Sequence, residues 1–410
     1  MATALPSRII TLDIIRGVAV MGIFSVNVVA FAMIEAAYLN PGAFGGYHGA
    51  DLVTWLANFV IVDGKFRSLF SMLFGASMLL VIERAKASVK SPAAVHYRRM
   101  IVLLMIGLFH FYVIWFGDIL VLYAAVGMIA FLFRRSSMKT ILIWAASLFA
   151  IMTILPATTI VRLRDADLAA HSRGATRDQV ESWNAFVSWL VAQPARDALE
   201  TRAMRGRLPE RVAYNVSDRL FAPLSGISSW GFATLGLMLV GMAGYRSGFL
   251  TGAWPDRVYR QIALSTLIVG GLLSLGFGLL LIADHFYLPW LFAAGFTLEI
   301  VHLAMALGYA ALIILLSRNF GWFARRVAAV GRAAFSNYLG TSILAALLFY
   351  GDGFALFGRL SRFQAWLFVP IFWLLMLAWS KPWLDRFHYG PLEWLWRSLS
   401  RGQLQPMRKT

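Results

Sequence analysis

Apolar stretches of about twenty residues recur along this 410-residue chain, and each is long enough to cross the hydrocarbon core of a bilayer as one helix. Ten such runs are readable, near 9–34, 66–83, 99–117, 118–133, 139–160, 228–245, 261–283, 295–316, 333–350 and 364–382. Backbone in lipid must satisfy its own hydrogen bonds, so runs of this kind fold as helices. The composition agrees: the chain is 60% hydrophobic and 14% charged, against roughly 45–50% and about 25% in soluble proteins. A soluble enzyme, a disordered chain and a collagen-like fibre are excluded. With no cysteine, disulfides, thiolate metal sites and a cysteine nucleophile are excluded too.

The third and fourth runs have only Phe116-Gly117-Asp118 between them as a turn. Segment 52–62 is apolar but short, and is expected to lie along the surface or to form a half-helix before Asp63-Gly64-Lys65. The first run carries Asp13 and Arg16 and lacks a small-residue cleavage site, so an uncleaved helix is expected in place of a signal peptide.

A net charge of +17 raises the question of nucleic acid, whose binders gather cations on a water-facing patch. Here the cations follow the ends of alternate runs instead. Arg8, the group Arg84, Lys86, Lys90, Arg98 and Arg99, the group Arg134, Arg135 and Lys139, the group Arg246, Arg257 and Arg260, the group Arg318, Arg325, Arg326 and Arg332, and six more after residue 380 fall on one side. The opposite short loops hold only Arg359 and Arg362. By the positive-inside rule both termini are expected in the cytoplasm. The 161–227 segment carries ten arginines and eight acids, and loops this long weigh little in that rule. Within it Trp183, Phe186, Val187 and Leu190 recur at helical spacing, and Thr176 with Gln179 fits a capping box. An amphipathic helix is expected there, lying on the outer membrane surface or bundle mouth, or packed on its own loop partners.

The expected fold is an all-α polytopic membrane protein with about ten transmembrane helices. It divides into a five-span half (1–160), an extracytoplasmic amphipathic loop (161–227), a second five-span half (228–388) and a basic cytoplasmic tail (389–410). The expected location is a bacterial inner membrane. The lipid bilayer is the first partner, nucleic acid is not expected, and a homodimer stays open.

An ionisable group inside a span costs roughly 2.5–3.5 kcal/mol on insertion scales, so such groups are the best functional clues. Asp13, Arg16 and Asn27 form one stripe on the first run: at about 100° per residue, Asn27 lies about 20° from Arg16 and Asp13 about 60° away. They read either as an ion pair that locks the helix or as a cytoplasm-side site for an anionic ligand. His110 sits near mid-membrane, with Asp118 about 12 Å further along a straight helix and so out of direct reach. A histidine buried in hydrocarbon needs a hydrogen-bonded partner or a water-filled cavity, and its neutral-range chemistry suits a general base. Glu299 and His302 lie one turn apart and read as a polar clasp; with no third ligand nearby in sequence, no metal is expected. Asn337 with Ser336, Thr341 and Ser342 reads as interhelical glue, while Arg332 before them has the planar fork that suits a phosphate. No phosphate-cradling loop, nucleophile elbow or zinc-protease motif is present.

Four stretches carry a resemblance. They are Leu12-Asp13-Ile14-Ile15-Arg16-Gly17; the run from Gly64-Lys65-Phe66-Arg67 to Phe74-Gly75; Gly107-Leu108-Phe109-His110 with Trp115-Phe116-Gly117-Asp118-Ile119-Leu120 and Tyr123-Ala124; and Gly331-Arg332 with Ser336-Asn337-Tyr338-Leu339 plus the tail from Tyr389-Gly390-Pro391 to Leu399. Together they resemble the YeiB-like bacterial membrane proteins (DUF418). The opening L-D-x-x-R-G is similar to that of heparan-α-glucosaminide N-acetyltransferase and related integral-membrane acyltransferases. That resemblance implies transfer of an acyl group from cytoplasmic acyl-CoA to an extracytoplasmic glycan, lipid or small metabolite, with a membrane-embedded histidine at the centre. On this reading His110, Asp118 and Asn27 are catalytic. Asp13, Arg16, Arg332 and Asn337 hold the CoA, which is a donor substrate, and Glu299 and His302 are further polar groups. The alternative is an ion- or proton-coupled transporter or exporter using Asp13, Arg16, His110 and Glu299.

Overall fold

The computed structural model describes residues 9–87, 91–188, 191, 193–318 and 321–409. Arg8, Lys90 and Leu190, named above for charge or helical spacing, lie outside the described residues. Among those described, the chain is helical, with a single two-residue bridge between Phe387 and Arg408 and no strand. Eight helices are long and apolar enough to cross a membrane: Ile10–Ala32, Gly49–Lys86, Pro92–Ile114, Met138–Ala170, Ala222–Arg246, Asp256–Ala283, Glu299–Ser317 and Arg362–Arg386. The fourth and ninth runs form shorter helices, Leu120–Ala130 and Ala334–Phe349. Segment 52–62 belongs to a half-helix: Gly49–Ala57 passes into a π-turn at Asn58–Val62, and a turn at Asp63-Gly64 leads into Lys65–Ala87.

The first helix is the hub. It packs against the Gly321–Arg332, Lys65–Ala87 and Ala334–Phe349 helices. Its crossing with Gly321–Arg332 depends on two glycines. A Cβ on Gly331 would stand 1.8 Å from the Asp13 carbonyl oxygen, and one on Gly17 would stand 2.1 Å from the Val327 carbonyl oxygen. Backbone meets backbone there, so no side chain can move aside. Gly331→Ala should therefore force the helices apart and cost about 1–3 kcal/mol or more, read as a lower melting temperature of the detergent-solubilised protein; an unchanged melting temperature would show that the crossing is loose.

The outward faces carry apolar side chains in stripes. On Asp256–Ala283, Leu264, Ile268 and Leu272 follow at four-residue spacing and are all more than half exposed. In water this would be a costly patch; against lipid tails it is the natural surface of a spanning helix.

The 161–227 segment folds into helices. Met138–Ala170 runs 33 residues, roughly 50 Å at 1.5 Å per residue, and so projects beyond the bundle. Arg177–Val187 follows with the capping box of Thr176 and Gln179 formed in full. Trp183 and Val187 pack on Leu163 and Ala170, with Leu288 and Phe292 beside them. This helix therefore rests on its own neighbours, because its apolar stripe finds the projecting end of Met138–Ala170 first. Two further helices, Pro194–Arg205 and Leu208–Asp218, fold back over the bundle.

Candidate functional site

The His110–Asp118 pair comes from a break in the helix that contains the histidine. Pro92–Phe109 opens into a π-turn at His110–Ile114 and stops at Trp115, whose backbone is extended. The chain turns through Gly117, where a Cβ would stand 2.2 Å from the Trp115 ring, and Leu120–Ala130 begins. Asp118 thereby returns to His110 and accepts from its Nδ1 at 2.8 Å, with both side chains fully buried. The 12 Å separation expected along a straight helix does not hold, because no straight helix joins them. The second Asp118 oxygen accepts the Val121 amide at 2.8 Å, at the positive end of the next helix.

This arrangement settles the imidazole's orientation. A carboxylate can only accept, so Nδ1 is the donor in this contact, and in the neutral imidazole Nε2 is the nitrogen that bears the lone pair. Nε2 is buried with no hydrogen-bond partner. The Trp115 Nε1 and the Tyr350 hydroxyl share that condition. The rings form a chain: His110 meets Trp115 edge-on at 6.2 Å, Trp115 stacks on Phe31 at 4.1 Å, and Phe31 lies 6.2 Å from Tyr350. Tyr338 stands 5.4 Å from His110 on another side. Buried polar atoms without protein partners are rare, and each has a cause in strain, in chemistry or in a bound water or ion.

Asn27 lies one turn before Phe31 on the first helix, hence on the same face, and is half-buried. Arg16 is eleven residues earlier, roughly 16 Å along the axis. It donates to Asp13 at 3.0 Å, to the Ser77 hydroxyl at 2.7 Å and to the Gly331 carbonyl at 3.4 Å. The Gly331 contact brings Arg16 beside the helix end that carries Arg332. Asp13, Arg16 and Arg332 are thus gathered near one end of the bundle, while His110, Asp118 and Asn27 lie toward the other. Asn337 belongs to neither group. Its amide donates to the Val330 carbonyl and the Ser380 hydroxyl, both at 3.1 Å, and accepts from the Trp379 indole at 2.8 Å. With both donors and an acceptor engaged inside the bundle, it ties helices together.

Glu299 pairs with His302 at 3.5 Å, as their spacing allows, but its close partner is Arg67, which sequence reasoning did not single out. An arginine at the start of an apolar run was the available signal. Arg67 also rests on the Trp230 ring at 5.0 Å. No three His, Cys, Asp or Glu side chains come together as a metal site among the described residues.

The helices Pro194–Arg205 and Leu208–Asp218 cover the His110 region. Met204 is fully buried in the same apolar core as Phe31, Trp115 and Tyr350. Asn215 donates to the Tyr112 carbonyl in the π-turn at 3.1 Å, and Arg205 to the Phe357 carbonyl at 2.7 Å. Arg219 clamps the cover. It bonds Glu200 at 2.7 Å and Glu35 at 3.0 Å, and stacks on Phe116 at 4.0 Å. Arg211 pairs with Asp352 at 2.8 Å. These contacts were not legible beforehand, since ten arginines and eight acids in one loop give no indication of which pair.

Comparison with known proteins identifies relatives along the whole chain. The family described as "Protein of unknown function (DUF418)" matches residues 244–403. "Uncharacterized protein YeiB" of Escherichia coli (strain K12) is 31% identical over 400 residues, covering 96% of each chain. "Uncharacterized protein YxaH" of Bacillus subtilis (strain 168) is 27% identical over 413 residues, covering 98% of this chain and 96% of the relative. No solved structure matches. With identity at this level sustained from end to end, the chain belongs to the YeiB-like DUF418 family of membrane proteins.

Proposed function

We propose that this protein is an integral-membrane acyltransferase that moves an acyl group from cytoplasmic acyl-CoA to an acceptor hydroxyl or amine on the far side of a bacterial inner membrane. In this reading the two shorter helices complete ten crossings, both termini are cytoplasmic, and the helices of 194–218 cover the extracytoplasmic mouth. One observation carries the proposal: a buried histidine whose Nδ1 is fixed by a carboxylate and whose Nε2 has no protein partner. A proton-accepting nitrogen held in one tautomer is what a general base needs.

The chemistry follows. His110 Nε2 takes the proton from the acceptor as its oxygen or nitrogen bonds to the thioester carbonyl carbon. The tetrahedral oxyanion collapses, the carbon–sulfur bond breaks, and the proton passes from Nε2 to the departing CoA sulfur. Asp118 stabilises the imidazolium between those steps. Asn27 is assigned as a donor to the oxyanion. Arg16 and Arg332 are assigned to the CoA phosphates at the basic end, which leaves the length of the first helix for the extended arm of the acyl-CoA to cross.

The test is direct. A series of acyl-CoAs from acetyl to long-chain should raise the melting temperature of the purified protein, by about 2.7 kcal/mol of stability at a hundredfold excess over Kd. No stabilisation by any member of the series overturns the reading, and substrate flux into vesicles driven by a proton or sodium gradient would favour the transporter alternative.

A further inference from the structure

A cleft of about 330 Å³ opens between the Gly321–Arg332 and Phe368–Arg386 helices, lined by Trp322, Arg325, Arg326, Lys381, Pro382 and Asp385. Its volume is within the range of small-molecule sites, about 300–1,000 Å³. Its charge is positive. Three cations face one carboxylate, and that carboxylate already takes Lys381 at 2.6 Å. Arg326 lies over the Trp322 ring at 4.8 Å and gives one donor to the Leu377 carbonyl at 3.2 Å, which leaves most of its five. Arg325 is exposed and has no hydrogen bond or ion pair with any described residue. A cation entering here would meet two guanidiniums and a carboxylate already engaged. An anion with several oxygens, phosphate above all, would meet two planar forks.

Depth and surroundings select the source of the phosphate. Residues 363–380 are eighteen in a row without a charge, roughly 27 Å of helix at 1.5 Å per residue, close to a hydrocarbon thickness of about 30 Å. Lys381 is the first charge after them, which puts the cleft at the edge of the hydrocarbon. Trp322 and Phe323 are exposed beside it, as aromatic rings are at that level. The wall of the cleft also continues into the lipid-facing surface. At 100° per residue Ile371, Leu375, Ala378 and Pro382 fall within about 60° on one face of their helix, and all four are exposed. A free phosphate has no use for that stripe, whereas a phospholipid lays its chains along it. We propose that the cleft binds the headgroup phosphate of an anionic phospholipid, with Arg325 and Arg326 as its ligands and the acyl chains on the stripe that ends at Pro382. Basic pockets between spanning helices hold such headgroups. The site uses none of the residues assigned to acyl transfer and does not depend on that reading.

The experiment is native mass spectrometry of the full-length protein in detergent, titrated with phosphatidylglycerol and with phosphatidylcholine of the same chains. The first phosphatidylglycerol should bind more tightly than the first phosphatidylcholine. Its affinity should fall about fivefold in Arg325→Gln and about 25-fold in Arg325→Gln/Arg326→Gln, the usual worth of one and two cations beside an anionic headgroup. Arg325 is exposed and unpartnered, so Arg325→Gln decides the matter if the double variant fails to fold. Arg257→Gln/Arg260→Gln removes the same charge from exposed positions on another spanning helix and should leave the affinity as it is. Equal loss in the two double variants would mean diffuse attraction to basic surface and overturns the site, as does the absence of any preference for phosphatidylglycerol. Glycerol 3-phosphate and acetyl-CoA offer phosphate without the paired chains. Displacement of the lipid by either at equal concentration gives the cleft to a free phosphate and overturns the lipid assignment.

Discussion

His110→Gln is expected to lower acyl transfer by about 10²–10⁴-fold, the usual worth of a positioned general base, while the acyl-CoA-induced rise in melting temperature persists. The reason lies in the separation of the two ends of the site. Asp13, Arg16 and Arg332 gather near one end of the first helix, and His110 lies toward the other, beyond Asn27. Removing the base should not touch the phosphate contacts assigned to the first group. Asp118→Asn gives the more discriminating result. The amide can still hold the ring, but its nitrogen can donate to Nδ1, favouring the tautomer in which Nε2 carries the proton and cannot act as a base. A loss close to that of His110→Gln is therefore expected, with the fold intact. If Asp118→Asn keeps its activity while His110→Gln loses it, the pair is a structural contact and not a catalytic one. If both keep full activity, the base is elsewhere.

Arg219→Ala should be among the most destabilising single changes in the chain, at about 3–5 kcal/mol, because it leaves a buried carboxylate without its cation. Glu200 is almost fully buried and Arg219 bonds it directly. Burial pushes the Glu200 carboxyl above its ordinary value, and the Arg219 charge opposes that shift. Without the arginine the opposition disappears and the upward shift grows. A carboxyl raised on folding destabilises the folded state above its folded pKa and stops doing so once it is protonated below its unfolded pKa. The variant's defect should therefore shrink as pH falls from mildly alkaline into the acidic range. Limited proteolysis would read this locally, since the Pro194–Arg205 and Leu208–Asp218 helices would lose their clamp and become cleavable before the bundle melts. Equal protease resistance of variant and parent at alkaline pH would show that the cover is held by its apolar contacts, Met204 foremost.

Much of this architecture was legible because lipid simplifies the problem. Each apolar run had one available fold, so the first, fifth and tenth runs were recognisable as helices from composition and length. The interruptions were harder. Leu120–Ala130 and Ala334–Phe349 read as full runs, yet both form short helices. A sequence window counts apolar residues and does not register where a π-turn or an extended residue such as Trp115 stops a helix. Ionisable residues in the spans stood out against a known insertion cost, which is why Asp13, Arg16, His110, Asp118, Glu299 and His302 were all marked. Their partners were less visible. The Asp13–Arg16 and Glu299–His302 pairs are three residues apart and follow from helical period alone. Arg67–Glu299 spans 232 residues of chain and Arg219–Glu35 spans 184, and no local pattern encodes such meetings.

The sequence by itself determined that this is a helical membrane protein with polar groups at particular depths, because hydropathy and helical period act residue by residue and need no knowledge of neighbours. Only the tertiary structure decided which of those groups touch. His110 reaches Asp118 because a helix breaks, Arg16 reaches Gly331 because two glycines let backbones cross, and Arg219 meets Glu200 and Glu35 because the apolar packing of the cover holds them together. Long-range pairing depends on how the apolar faces pack, because that packing decides which charged groups lie within reach of one another.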